Sequence, residues 1–208
     1  VGVCAGVEAV GKVQTVTSFE EASALFGSCE LTELIRIILR NGAGSVAALA
    51  IENEDGYTAG FETLEKLENL PVIVCGSTKA EVHTALRTSV ESASALRRER
   101  IAVVGGGRNE AVAALAARAK ALNSERMVLA AAESDPALPL SGAALFGLYG
   151  VSANYNDNEI DLLIQGGVTP VESVGGEISV VRGVTSRTKT GEEEDLTWRA
   201  LSTILMGG

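Results

Sequence analysis

Val72-Ile73-Val74-Cys75, Ile101-Ala102-Val103-Val104 and Met127-Val128-Leu129-Ala130-Ala131 are three short runs of almost wholly apolar residues. Helix-like stretches separate them. Thr78 and Glu81 stand at capping-box spacing and open a predicted helix that runs to about Arg98. A second predicted helix covers Asn109 to Leu122. Strands alternating with helices of this length imply right-handed βαβ crossovers and a parallel sheet. Strands without a polar face fit a sheet covered by helices on both sides. The predicted class is α/β, a mostly parallel sheet flanked by helices.

Toward the N-terminus, Val1-Gly2-Val3-Cys4-Ala5 and Val13-Gln14-Thr15-Val16-Thr17 have β character. Ser18 and Glu21 form another capping box, starting a helix that ends near Gly27. Leu31, Leu34, Ile35, Ile38 and Leu39 make the apolar stripe of a helix from Leu31 to Arg40, closed by Asn41-Gly42. Val46 to Ile51 is a strand buried on both faces, and Phe61 to Leu70 a helix. These changes divide the chain into an N-terminal part, 1–60, and a central α/β body, 61–208.

Beyond Ser134 the pattern changes. Ala137 to Tyr149 is predicted helical, and Asn158 to Ile164 is short and fits either state. Gln165 to Gly191 then reads QGGVTPVESVGGEISVVRGVTSRTKTG. Its glycine pairs, Gly166-Gly167 and Gly175-Gly176, supply tight turns. The expected result is a β-hairpin whose first strand, carrying Pro170, starts or edges a sheet. Its second strand is the run Ile178 to Thr185. Glu192-Glu193-Glu194-Asp195 reads as an acidic turn before a last helix, Leu196 to Leu205.

The 208 residues are 46% apolar but only 4% aromatic, which suits closely packed small-residue helices on a sheet. The formal charge of -10 disfavours nucleic acid, whose affinity rests on phosphate neutralisation. No stretch reaches the ~20 apolar residues of a membrane span, and no signal-peptide pattern opens the sequence. Cys4, Cys29 and Cys75 lack metal spacing and are odd in number, which predicts buried free thiols in a reducing compartment. The absence of an initiator Met and the abrupt end at Met206-Gly207-Gly208 suggest a fragment of a longer polypeptide.

Candidate chemistry is sparse. Gly105-Gly106-Gly107-Arg108 joins a predicted strand to a helix, where backbone N–H groups can hold phosphate. It matches neither the P-loop nor GxGxxG, because Glu110 stands where the last glycine belongs. A structural turn is the plainer reading. His83, the single histidine, falls within a helix and is expected to be exposed, beside a buried Cys75. No GxSxG elbow accompanies it. Asn154 to Asp161 superficially resembles a calcium loop but lacks the Gly and Glu such a loop needs, so turn and helix cap are the simpler roles. Arg97-Arg98-Glu99-Arg100 ends a helix and suits its dipole, as the acidic run 192–195 suits the start of the last helix. No catalytic, cofactor-binding or metal-binding residue is assigned.

The Gln165–Gly191 segment, followed by Thr197-Trp198-Arg199-Ala200-Leu201, resembles the core of contractile phage tail sheath proteins. Val16-Thr17-Ser18-Phe19-Glu20-Glu21, Leu122 to Leu129 and Ala153 to Asp161 are similar to the same pattern. The residues that carry the likeness are Gly167, Thr169, Pro170, Gly175, Gly176, Val181, Arg182, Gly183, Thr185, Trp198 and Arg199. The resemblance implies a body of subtilisin-like topology without a catalytic triad, and no cofactor. It implies a structural role in a helical sleeve of six-membered rings around a tail tube. That sleeve contracts to drive the tube through the host envelope. Implied partners are identical subunits, the tube protein, and baseplate and tail terminator proteins, with neither nucleic acid nor membrane insertion. The implied location is a virion tail or phage-tail-like particle, assembled in the bacterial cytoplasm. The family carries a longer glycine-rich region near Ala132 to Asp135, and an N-terminal arm and C-terminal domain that this sequence does not contain. A rival reading is a nucleotide-binding α/β enzyme using Gly105 to Gly107. A second rival is an acidic module binding calcium at Asn154 to Asp161.

Overall fold

The computed structural model describes residues 1–40, 42–107, 110–131, 133–134, 151–152, 155–174, 177–189 and 192–195. Near the N-terminus, β1 (Gly2–Val3) and β2 (Val13–Val16) flank β3 (Val46–Ile51). β1 runs parallel to β3, and β2 antiparallel to it. Two helices close one side. In α1 (Phe19–Phe26) the Ser18 side chain caps the Glu21 N–H, and Glu21 reaches back to the Thr17 N–H at 2.7 Å. Gly27, at φ 66°, ends the helix in a conformation that costs glycine little. Phe26 of α1, with Leu31 and Ile35 of α2 (Glu30–Arg40), packs on Val16, Ala48 and Ala50.

The second sheet is the predicted parallel one. β4 (Val72–Val74), β5 (Ile101–Gly105), β6 (Met127–Ala131) and β9 (Val168–Val174) are parallel, and β10 (Glu177–Val180) adds antiparallel to β9. Every residue of β5 and β6 is buried, which is why their sequences lack a polar face. α4 (Ala80–Ala95), α5 (Val112–Leu122) and α6 (Asp157–Gln165) make the crossovers and pack in succession. α3 (Tyr57–Glu65) starts four residues before the expected helix, behind a 3₁₀ turn capped by Asn53. Its Tyr57, Phe61 and Leu64 join Leu49 and Ile51 of β3 to Leu86 and Val90 of α4 in one core.

Val1 links the two sheets. Its nitrogen donates to the Val74 carbonyl at 2.9 Å, and its carbonyl accepts from the Gly76 N–H at 3.2 Å. This is a parallel bridge. The strand order across the body is therefore β2-β3-β1-β4-β5-β6-β9-β10. Two short pairs lie outside it: β7 (Glu133–Ser134) with β8 (Val151–Ser152), and β11 (Val184–Lys189) with β12 (Glu192–Asp195).

Several expectations are corrected. Pro170 sits in an interior strand, between β6 and β10. It is tolerated because its carbonyl, accepting from Val181 N–H at 3.1 Å, faces β10 where that ladder ends. The missing N–H on the same side thus costs only a terminal rung. The run Ile178 to Thr185 is not one strand: it breaks at Val181–Gly183, and β11 leaves the sheet. The acidic residues 192–195 form β12 rather than a turn before a helix, because β11 offers them a backbone partner. Thr78 does not cap α4, whose N-cap is Lys79 and carries no side-chain capping bond. Cys4 and Cys29 are paired as a disulfide, with Cα atoms 5.4 Å apart, where free thiols were expected. The turn between α1 and α2 folds back beside β1 and brings them together; Cys75 is free and buried. The helices expected over Ala137–Tyr149 and Leu196–Leu205 lie outside the described residues.

Candidate functional site

The glycine turn carries its own anion. Gly107 N–H donates to Glu110 Oε2 at 2.6 Å. Arg118 grips both oxygens of that carboxylate, Nε to Oε1 at 3.1 Å and Nη2 to Oε2 at 2.9 Å, and its Nη1 donates to the Thr78 carbonyl. A phosphate at the Gly107 amide would have to displace Glu110 and strip Arg118 of its partner. Gly106 is needed for packing, since a Cβ there would lie 2.3 Å from Leu115 Cδ2. The turn is a joint between β5 and α5.

His83 is fully buried, contrary to the expected exposure. Its Nε2 lies 2.8 Å from the Ser77 carbonyl, which can only accept, so Nε2 carries the hydrogen. Nδ1 has no partner among the described residues. The Cys75 thiol also points to the Ser77 carbonyl, at 3.8 Å. Burial pushes that thiol up to about 12 and pulls the imidazole below its ordinary value. Both groups are held neutral, the reverse of the thiolate–imidazolium pair a nucleophilic cysteine needs.

The neutral histidine sets a pH response. The unfolded chain takes up a proton near pH 6.5 that the folded chain refuses. Stability therefore falls as pH drops below about 6.5, by up to ~1.4 kcal/mol per unit, until the lower folded pKa is reached. Glu30 works in the opposite sense, because burial raises its pKa. The readout is thus the difference between variants. In urea unfolding between pH 7.5 and 5, His83→Gln is expected to lose this acid-side slope, and an unchanged slope refutes the assignment.

Arg98 and Arg100 do not serve their own helix. Arg100 is 1% exposed and donates Nη1 to the Leu64 carbonyl at 3.0 Å, Nη2 to Leu67 at 2.8 Å and Nε to Arg98 at 3.2 Å. Arg98 Nη1 reaches the Glu65 carbonyl at 2.9 Å. Together they bond the Leu64, Glu65 and Leu67 carbonyls in and just beyond the last turn of α3, of which Leu64 also accepts from the Leu67 N–H. Asn156 and Glu159 form a reciprocal capping box on α6, so the calcium-loop lookalike is a helix start.

The segments that carry the family resemblance meet in space. Thr169 Oγ1 donates to the Val184 carbonyl at 2.9 Å and accepts from its N–H at 3.0 Å. Ser186 Oγ treats Ser124 likewise, accepting from its N–H at 3.1 Å and donating to its carbonyl at 3.0 Å. Arg187 pairs with Glu125 at 2.9 Å. Two hydroxyls thus replace ladder bonds and clasp β11 against β9 and the turn before β6. Gly167, at φ 78°, makes the turn into β9. Val181 and Arg182 are exposed, Gly183 half-buried and Thr185 buried. Gly175, Gly176, Trp198 and Arg199 lie outside the described residues. No residue-level cue in the sequence marked Arg100, Arg118 or the Ser124–Ser186 pair.

This architecture is the fold of contractile-tail sheath proteins. The helical sheath of the anti-feeding prophage in its contracted state matches 99% of this chain with a TM-score of 0.70, at 14% identity. A chain of the anti-feeding prophage baseplate matches 98% at TM-score 0.66 and 14% identity. The sheath tail protein of Desulfitobacterium hafniense matches 79% at TM-score 0.54 and 10% identity. This chain spans 67% of each anti-feeding prophage chain and 44% of the third. No protein-family model and no curated protein matches the sequence.

Proposed function

We propose that the chain is the body of a structural subunit in a contractile tail sheath. The observation that carries this reading is the fold match over 99% of the chain to a helical sheath. Copies stack around a tail tube, held by contacts with identical subunits, and meet baseplate and terminator proteins at the ends. Residues 1–60 form the N-terminal part of this body and 61–208 its central part. Head-to-tail contacts between different surfaces of identical subunits, where they do not close into a ring, produce filaments of this kind. Contraction then moves rigid bodies past one another, without turnover of a substrate. The particle is a phage tail or a phage-tail-like device, put together in the bacterial cytoplasm. The neutral Cys75–His83 pair and the Glu110-filled glycine turn support a mechanical role over an enzymatic one.

Negative-stain microscopy of the full gene product is expected to show tubes or sheath-like polymers. A preparation holding only monodisperse small particles would overturn the reading. A thermal-shift screen against nucleotides is expected to be flat, since a ligand of the native state must raise its stability.

A further inference from the structure

Two segments far apart in the chain meet where β1 ends. Cys4 follows β1, and Cys29 stands in the turn between α1 and α2, 25 residues on. Non-covalent bonds already hold both in place. The Cys4 N–H donates to the Ile51 carbonyl at 2.8 Å, and the Val3 N–H to Glu30 Oε2 at 3.1 Å. The Cys4 side chain also packs in the core with Val16, Phe26, Leu31 and Ile35. The fold therefore keeps the two sulfurs adjacent when the bond between them is open.

Each sulfur also faces an oxygen that accepts. Cys4 Sγ lies 3.1 Å from the Phe26 carbonyl, which has no hydrogen to give. Cys29 Sγ lies 3.4 Å from Thr32 Oγ1. The single hydroxyl hydrogen of Thr32 goes to the Gly27 carbonyl at 2.8 Å, so toward Cys29 that oxygen only accepts. A disulfide sulfur carries no hydrogen and leaves both contacts without a donor. Two thiols complete them. The surroundings thus complement the reduced pair as well as the oxidised one. Access is unequal: Cys4 is 2% exposed, while Cys29 is half-buried beside the exposed Gly27 and Ser28.

We propose that Cys4 and Cys29 form a reversible thiol–disulfide exchange site, opened and closed by small monothiols of the glutathione class, with Cys29 the attacked sulfur. A monothiolate bonds to Cys29 Sγ, the Cys4–Cys29 bond breaks, and Cys4 leaves with the electron pair. Cys4 then takes a proton from water and donates it to the Phe26 carbonyl. A second monothiolate attacks the small-molecule sulfur of the mixed disulfide, and Cys29 leaves, is protonated and donates to Thr32. The protein disulfide is reduced to two thiols while two monothiols become one small disulfide. With the oxidised monothiol in excess the same steps run backwards. The closed bond restricts the unfolded chain, so oxidation raises resistance to unfolding without altering the fold. This holds whatever the chain assembles into.

The test equilibrates the native chain in glutathione buffers from wholly reduced to wholly oxidised, then blocks free thiols in denaturant and weighs the product by mass spectrometry. Cys75, buried and free, is expected to be blocked at every ratio and serves as the internal standard. Cys4 and Cys29 are expected to interconvert fully across the series with an unchanged circular dichroism spectrum, whereas purely structural disulfides resist the glutathione pool. Thr32→Val removes the acceptor for the Cys29 thiol and is expected to move the balance about threefold toward the disulfide. Its lost bond to Gly27 weakens both forms alike and cancels from that ratio. Should this variant fail to fold, the serine variants decide. In oxidised glutathione, Cys4→Ser is expected to gain one glutathione on Cys29, and Cys29→Ser none on the buried Cys4. A disulfide that survives wholly reduced glutathione, or opens only with loss of the native spectrum, overturns the proposal. Thiols that never pair, an unshifted balance in folded Thr32→Val, or equal labelling of the two serine variants overturn it too.

Discussion

Replacing Arg100 with methionine is expected to lower the unfolding free energy by about 3 kcal/mol. Methionine keeps much of the buried volume and removes every donor. The Leu67 carbonyl just beyond α3 then loses the guanidinium, and a buried acceptor without a partner costs about 1–3 kcal/mol, whereas the Leu64 carbonyl keeps the Leu67 N–H at 3.1 Å. The Arg98 carbonyl loses its bond to Nε too. In a domain of this size the melting midpoint falls by about 6–12 °C. Arg100→Lys keeps the charge but cannot spread three donors in a planar fork, so it restores less than half of the loss. Urea unfolding of the three proteins measures this directly. A loss under about 1 kcal/mol for the methionine variant means that α3 ends without help from Arg100.

Thr169→Val is the second large effect, again about 3 kcal/mol. Valine has the same shape, so packing stays and only the hydroxyl goes. The Val184 N–H and C=O, which both use that hydroxyl, are then left unpaired in a residue that is wholly buried. Thr169→Ser keeps both bonds and is expected to cost less than half as much. Hydrogen exchange of the Val184 amide separates this account from general loosening. It should speed up far more than amides of β5 in the valine variant, and a uniform change across the sheet contradicts the local role.

The central sheet was legible because β5 and β6 are buried along their whole length. Such strands need apolar residues at every position, and little else satisfies that pattern between two helices. Local chemistry was legible too where it stayed local, as at the Ser18 and Asn156 caps. What escaped is set by distant backbone. Arg100 at the end of a helix obeys the ordinary dipole rule, so nothing marks it as serving another helix 33 to 36 residues away. Glu192 to Asp195 have poor strand propensity and pair because β11 lies beside them. Pro170 marks an edge only if the whole strand is considered; here it falls on the last rung of one ladder. His83 sits on the buried stripe of α4 with Val82, Leu86 and Val90, a position that the spacing allows and its own polar side chain disguises.

The bridging role of Val1 has a mechanical side. With β2 and β10 at opposite ends of the strand order, about 34 Å of laterally bonded backbone separates them at ~4.8 Å per step. Tension applied across that span opens ladders one rung after another, whereas tension along a strand must shear many rungs together. A body loaded crosswise therefore draws its stiffness from whatever braces the ladders from outside. Here the braces are the Arg100 grip on α3 and the paired hydroxyls of Thr169 and Ser186, and softening either should make the unit compliant before it makes it unfold.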